Sequence, residues 1–496
     1  MECKLKKGDL TMKDLKNFRM YFFLFSIVFA FLPSLVSAGE IPDPKTYIPS
    51  TSEIEKHKKP FDDPRPYLKE FGPKQVLPKD LYAKLSFDEE KMKSLWSEIV
   101  GFRAPDVVGK IAPEIKPGKY TYKDLEKYPG FKQLIHPEIY NRIKPGAPPY
   151  AGNFSEFEII PTRQYYWALP ISEGTKKNMG KTKLDKKGYM IPETWEGGIP
   201  FPRPSGEFKA QEIMYSIEKR YTQYGGDFYM LGYFLAFSKN LKQDFNGLAE
   251  VRHLNLAGRL LIPPYGFFDE RAKKAGEFNA FVTNFLAPRD TSGLAQSAIY
   301  YLDPQKFDQL MVYVPSLRRV RKMTATDSQD PIMGIDVIYD DNEGWYQKLS
   351  PTRYPYKFEV IEEREYLVRA PSIDGAEYID SKTTELKNVR MERRPIYVIK
   401  LKQLDTNYVY SERIFFIDKE TFVYYLVLNY DQKGRLYRST EQNWGWNPEM
   451  GMISWSGNTL SARDHVDHHS TLLSYYVIPA YYSRGEVSIE GFIKAK

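Results

Sequence analysis

Cysteine is almost missing from this chain. Its single copy, Cys3, precedes the first apolar run. A chain processed after that run holds none, which excludes disulfides, thiolate metal sites and a cysteine nucleophile. It also excludes a lipid-bearing cysteine at the processing point, because Gly39 stands there. Long apolar stretches are lacking too. Tyr21–Phe31 is apolar but too short for a comfortable membrane span, and no later run reaches spanning length. Excess charge of one sign is small. The net +7 falls to +4 once the six cations and three acids of residues 1–38 are removed, a balance that gives no electrostatic footprint for nucleic acid. No Gly-x-Ser-x-Gly elbow occurs. The Gly174–Thr182 stretch has five residues between its glycines where a phosphate-binding loop needs four, so it reads as a lysine-rich surface loop.

What the chain does have is aromatic side chains. Tyr (38) and Phe (30) help bring the aromatic share to 15%, more than a helical bundle needs, and this favours sheet. The 496 residues are enough for a large core or two domains. The first 38 residues read as a secretion signal. Lys4, Lys6, Lys7, Lys13, Lys16 and Arg19 form its basic part, and Val36-Ser37-Ala38 supplies small residues before the cut. Residues 39–80 form a Pro/Lys-rich extended arm. Residues 81–190 form a helical and extended segment that packs on the sheet, and residues 191–496 form the sheet domain. The expected location is periplasmic, unlipidated and in contact with the outer membrane.

The first clear helix lies over 86–100, with Ser86 and Glu89 as a capping box and Met92, Leu95, Trp96 and Ile99 on one stripe. Strands are expected at 157–170, 228–237, 278–288, 298–302, 309–314, 357–368, 394–404, 409–418, 421–430 and 435–443. Residues 422–430 are apolar on both alternating faces, so both faces of the sheet are covered there, by a hollow and a second layer or by a plain sheet-on-sheet core.

Several motifs carry a resemblance. They are "YPGF…PTRQ" (128–164), "GGIPFPRPSGEF" (197–208), and the run from Asn284 to Tyr346 with "NFLAP", "YYLDP", "VYVPSLRRVRKM" and "G.D..YDD". Together they resemble the exported bacterial family of unknown function DUF1329, whose fold is similar to the periplasmic lipoprotein carriers LolA and LolB. The resemblance implies an α+β, mostly β fold: a strongly curved antiparallel sheet, an open half-barrel, enclosing a hydrophobic cavity, with N-terminal helices. It implies no established activity. The expected function is a carrier or accessory that binds a lipid or other hydrophobic molecule. Its expected partner is an inner-membrane efflux-type transporter or an outer-membrane protein, and no cofactor is expected. The alternatives are an envelope glycan or lipid hydrolase or lyase using carboxylates, and a structural envelope protein. The leading expectation is a protein that is not an enzyme.

Candidate ligand contacts are Tyr424, Leu426 and Leu428 on the doubly apolar strand and the Trp444, Trp446, Trp455 cluster, whose faces suit sugars, lipid tails or a partner, or else a loop folded over the sheet end. The cations Arg318, Arg319, Arg321 and Lys322 precede the acids Asp327, Asp330, Asp336, Asp340 and Asp341. These blocks are expected to form an ion-pair network, with a lid or partner contact second. His465 and His469 could share a helix face with Asp467 and His468 nearby, but the run into Ser470 reads as a strand start that would splay them, and no metal is expected. Asp340–Gly344 has its glycine one place too early for an EF-hand loop.

Overall fold

In the computed structural model the described residues are 83 and 88–494, apart from 324–326, 373–376, 381, 456–458 and 481. The leader and the Pro/Lys-rich arm lie outside them. Among the described residues no helix is long and apolar enough to cross a membrane.

Alternation of apolar and aromatic side chains produces one 15-stranded sheet. Its strands in chain order are β1 (Gly118–Thr121), β2 (Glu156–Ile159), β3 (Phe228–Phe237), β4 (Gln243–Asn255), β5 (Glu277–Ala287), β6 (Ala295–Tyr301), β7 (Gln309–Val314), β8 (Arg319–Lys322), β9 (Tyr356–Arg369), β10 (Arg390–Gln403), β11 (Glu412–Asp418), β12 (Tyr424–Tyr430), β13 (Leu436–Gln442), β14 (Thr459–Asp464) and β15 (His469–Pro479). The spatial order is β1-β2-β10-β11-β12-β13-β14-β15-β3-β4-β5-β6-β7-β8, with β9 on β10. This order is an open path with two ends. All pairs are antiparallel except β2 with β10, joined in parallel at Arg390↔Glu158 and Met391↔Ile159. The sheet is therefore mixed, and the fold is mostly β with helices.

The expected strands from 228 onward are found within a few residues of their sequence limits, whereas of 157–170 only β2 is strand, because Pro161 cannot donate to a ladder, and a helix begins at Leu169. β3 and β7 match end for end. Strands β1 and β14 were not read, nor were three further features. The 13-residue β4 begins with polar residues and carries a glycine at 247, which hides its alternation. The basic block is itself a strand, β8. The stretch read as a surface loop is largely the helix Leu169–Asn178, with Pro at its first turn, where the missing N–H costs nothing. The first helix, α1 (Glu89–Val100), is capped by Asp88, whose side chain accepts from the Lys91 N–H, and Ser86 lies outside the described residues. Its stripe is as expected, with Met92, Trp96 and Ile99 buried. β12 is buried on both faces through Asn429.

The N-terminal segment is tied to the sheet by charge as well as by packing. Arg394 of β10 is wholly buried. It donates to Asp418 (2.7 Å), Glu420 (2.7 Å), Glu392 (3.2 Å) and the Arg163 carbonyl (2.6 Å). The same carboxylates reach back into the N-terminal segment. Glu420 accepts from the Ala104 and Tyr165 N–H groups, and Glu392 accepts from the Arg163 N–H and the Tyr165 hydroxyl. Trp96 of α1 donates its indole N–H to the Glu420 carbonyl at 2.8 Å. A second tie holds residues 332–338 to the sheet: His469 contacts Asp336 through Nδ1 (2.7 Å) and Asp244 through Nε2 (3.1 Å).

Two outcomes test these ties. Arg394→Met leaves Asp418 and Glu420 without their cation and Glu392 with Arg163 alone, and is expected to cost about 3–5 kcal/mol, read from urea denaturation. Burial pulls the His469 imidazole down, but its hydrogen bonds to Asp244 and Asp336 outweigh this and raise it to about 10, against about 6.5 unfolded. The stability this pair contributes is whole below about pH 6.5 and is lost as pH rises toward 10. His469→Gln is expected to flatten that part of the stability–pH curve, measured as denaturation midpoints of both proteins across the range.

Candidate functional site

A ladder of rings crosses four adjacent strands near one end of the sheet. Phe228 on β3 lies opposite His253 on β4, and His253 lies opposite Phe281 on β5. The rings stack with centroids 4.8 Å apart for Phe228–His253 and 6.4 Å for His253–Phe281, and Tyr300 of β6 continues the stack at 6.3 Å. Burial holds the His253 imidazole down to about 4, only partly opposed by its hydrogen bond to the Gly226 carbonyl. Around neutral pH it is a flat, uncharged ring among flat rings.

Above this ladder opens a cleft with about 100 Å³ of free volume. Helix α2 (Lys209–Glu218) delivers Glu218, Lys219, Arg220, Tyr221 and Thr222 to one wall as its chain runs on. Trp195, Phe278, Tyr300, Trp345 and Tyr346 give it aromatic walls. Gly258 has a positive φ of 67°, and a side chain there would collide with the Trp195 ring, so this glycine is required where Trp195 packs. The Lys219 ammonium is completely buried, 2.7 Å from Glu218 and 3.7 Å above the centre of the Phe278 ring. On the floor, Asn255 of β4 and Asn279 of β5 face each other across the ladder. The Asn279 Oδ1 is buried without a hydrogen-bond partner. Such an acceptor costs about 1–3 kcal/mol unless a donor arrives.

The loop Trp345–Lys348 closes the other wall, and the acidic block anchors it. Asp340 accepts from Tyr354 (2.9 Å), Tyr408 (2.7 Å) and Gln347 (3.2 Å), and Asp341 accepts from Arg413 (2.7 Å) and Tyr410 (2.5 Å). Lys348 donates to the Asp303 and Lys306 carbonyls and to Asp308. Burial pushes Lys348 down and Asp308 up, each toward its neutral form, and their attraction opposes both shifts.

A cavity of about 150 Å³ lined by aliphatic and aromatic groups accepts a benzene ring. The cleft is slightly smaller, so in this state it has room for part of a ring or a few methylenes, not for a whole fatty chain. Glu218 is the single carboxylate among its lining residues.

The sequence candidates lie elsewhere. Tyr424, Leu426, Leu428, Trp444, Trp446 and Trp455 are all buried. Trp444 donates to the Tyr424 carbonyl, Trp446 meets Tyr165 and Tyr166 edge-on, and Trp455 stacks on Tyr475. None of the six is among the cleft's lining residues. Of the expected ion-pair residues, Arg318, Arg319 and Arg321 are exposed on the β7–β8 hairpin. Asp336 pairs with His469 and accepts from the Thr471 hydroxyl. Asp327 begins a short 3-10 turn, Asp327–Gln329, and Asp330 follows it. Tyr150 places its hydroxyl 2.9 Å from His468 Nδ1 and 3.4 Å from His465 Nδ1, and His465 also meets Ser439. His469 faces Asp336 and Asp244 instead, and Asp467 donates its backbone N–H to Asp464. Among the described residues no cluster of three metal-ligating side chains occurs.

The residues the sequence did not single out are Trp195, Lys219, His253, Asn255 and Asn279. One signal was available: His253 and Asn255 alternate with Leu254 and Leu256, which is the pattern of a strand with one functional face.

The search of curated proteins finds no match. Among solved structures, the chain is similar to a DUF1329 family protein of Desulfovibrio piger at 14% identity, covering 56% of this chain and 94% of that one with a TM-score of 0.39. It is also similar to a LolA superfamily protein of Nitrosomonas europaea at 14% identity, covering 56% of this chain and 97% of that one with a TM-score of 0.35. The family model for the proteins of unknown function DUF1329 matches residues 124–475, from just after β1 into β15, and the chain belongs to that family.

Proposed function

We propose that this protein is a cell-envelope carrier or transport accessory that binds a hydrophobic ligand and holds it by a ring-shaped, hydrogen-bonding part seated in the cleft over the Phe228–His253–Phe281–Tyr300 ladder. The observation that carries this reading is the pairing of stacked ring faces with an unsatisfied buried acceptor, Asn279 Oδ1. Flat rings attract a flat or sugar-like group, and the lone acceptor calls for a donor on it. The need for a carrier is physical: each buried CH₂ is worth about 0.8 kcal/mol, so a ten-carbon tail resists water by about 8 kcal/mol. The resting cleft is too small to cover such a tail. In this reading the sheet curves around the apolar remainder, and the Trp345–Lys348 wall gives way on loading. The periplasm is the compartment in which such a carrier works, and an efflux-type transporter or an outer-membrane protein is its partner. A single carboxylate in the cleft supplies no acid–base pair for glycoside hydrolysis, which favours binding over turnover.

Native mass spectrometry of the protein purified from its own host is expected to show a co-purifying amphiphile. Asn279→Leu is expected to lose that ligand while stabilising the empty protein by about 1 kcal/mol, because it removes an unpaired acceptor. Bare protein that turns over an envelope glycan or lipid sinks the carrier reading in favour of a hydrolase or lyase.

A further inference from the structure

The strands that carry the cleft at one end carry a different surface at the other. β8 is the last strand of the sheet, so among the described residues one of its edges is unpaired. All four of its residues, Arg319, Val320, Arg321 and Lys322, are exposed, so the strand is wet on both faces. The hairpin joining it to β7 turns through Pro315–Leu317, and Arg318 takes the left-handed conformation at φ 48°. Leu317 is 41% exposed and Val320 38%. Among the described residues no ion pair involves Arg318, Arg319 or Lys322.

The neighbouring strand ends extend this surface. Ala295 of β6 pairs with both Asn284 and Tyr313, which puts the end of β5 beside the hairpin tip. Leu286 is 38% exposed there and Arg289 is exposed just beyond it. The β3–β4 turn, at the same end, adds exposed Lys239 and Lys242. Asp244, Asp290 and Asp467 are exposed acids at this end, outnumbered by the cations, and Asp244 is paired with His469.

Cations on an edge strand also prevent unwanted strand pairing. That role requires no leucine in the water at the tip. An acidic strand added to β8 would find four residues to pair with and would leave Leu317 uncovered. A phospholipid surface covers both kinds of group at once: phosphates meet the arginines, and the acyl boundary takes Leu317 and Val320. From this combination we propose that the β7–β8 hairpin is a docking element for an anionic membrane surface. It holds the protein with the hairpin end toward the lipid and the cleft at the far end of the same strands. The inference stands independently of what the cleft binds.

The test is co-sedimentation of the full chain, stripped of ligand, with phosphatidylcholine vesicles and with equimolar phosphatidylcholine–phosphatidylglycerol vesicles. Retention is expected on the anionic vesicles only and is expected to fall with added salt. Arg318→Glu/Arg319→Glu should weaken it at least tenfold and Leu317→Ser several-fold. Lys116→Glu/Lys119→Glu, at the opposite edge of the sheet, should leave it unchanged. Circular dichroism confirms that each variant is folded. Equal loss in the hairpin and control variants overturns the proposal, because general charge would then account for it. So does indifference to phosphatidylglycerol, and so does wild-type protein that ignores vesicles yet is captured by an acidic polypeptide. Failure here with ligand retention intact leaves the carrier reading standing.

Discussion

Buried charge is the constraint on which this structure depends. Arg394, sealed inside the sheet, is answered by Asp418, Glu420 and Glu392, and the last two extend their lone pairs to the backbone of residues 104, 163 and 165. Removing a guanidinium and three carboxylates from water costs several kcal/mol per ion, recovered only when every donor and acceptor finds good geometry. That requirement fixes where the N-terminal segment lies on β10. Arg413 with Asp341, and Glu441 with Arg142 and Arg369, repeat the arrangement on β11 and β13. Hydrophobic contact alone would let these layers slide, and the buried ions give them one register.

The same logic shapes the cleft. Its ring ladder is a product of antiparallel register, since Phe228, His253 and Phe281 meet only because β3, β4 and β5 pair as they do. Its outer wall is held by Asp340 and Asp341, whose partners include Tyr408, Tyr410 and Arg413, on β11 and in the chain just before it. The acids that follow the basic block therefore serve the cleft from inside, while the arginines stay in the water at the far end of the sheet. A hollow lined by rings and amides at one end and a cationic, leucine-tipped hairpin at the other divide ligand contact from surface contact along the same strands.

Local pattern was legible in the sequence. The strand-rich class, the limits of β3 and β7, the double burial of β12 and the apolar stripe of α1 follow from side-chain periodicity, a property of neighbouring residues. The family motifs between Tyr128 and Trp446 were legible as a resemblance to known sequences and fall within the matched range. What stayed hidden depends on contacts between distant residues. Asp336 meets His469 across 133 positions and Asp341 meets Arg413 across 72, so for these two acids proximity in sequence pointed at the wrong partners. The tryptophan cluster reads the same whether it lines a hollow or fills a core, because periodicity reports burial and not what does the burying.

By itself, then, the sequence determined that this chain makes strands and which of their faces turn inward, because both are written in the alternation of adjacent side chains, and its motifs carried the resemblance to its family. Only the tertiary structure decided which charges are paired, which rings stack into a ladder, and that the cleft and the basic hairpin stand at opposite ends of the sheet, because strand register brings together residues whose separation along the chain carries no trace of the contact.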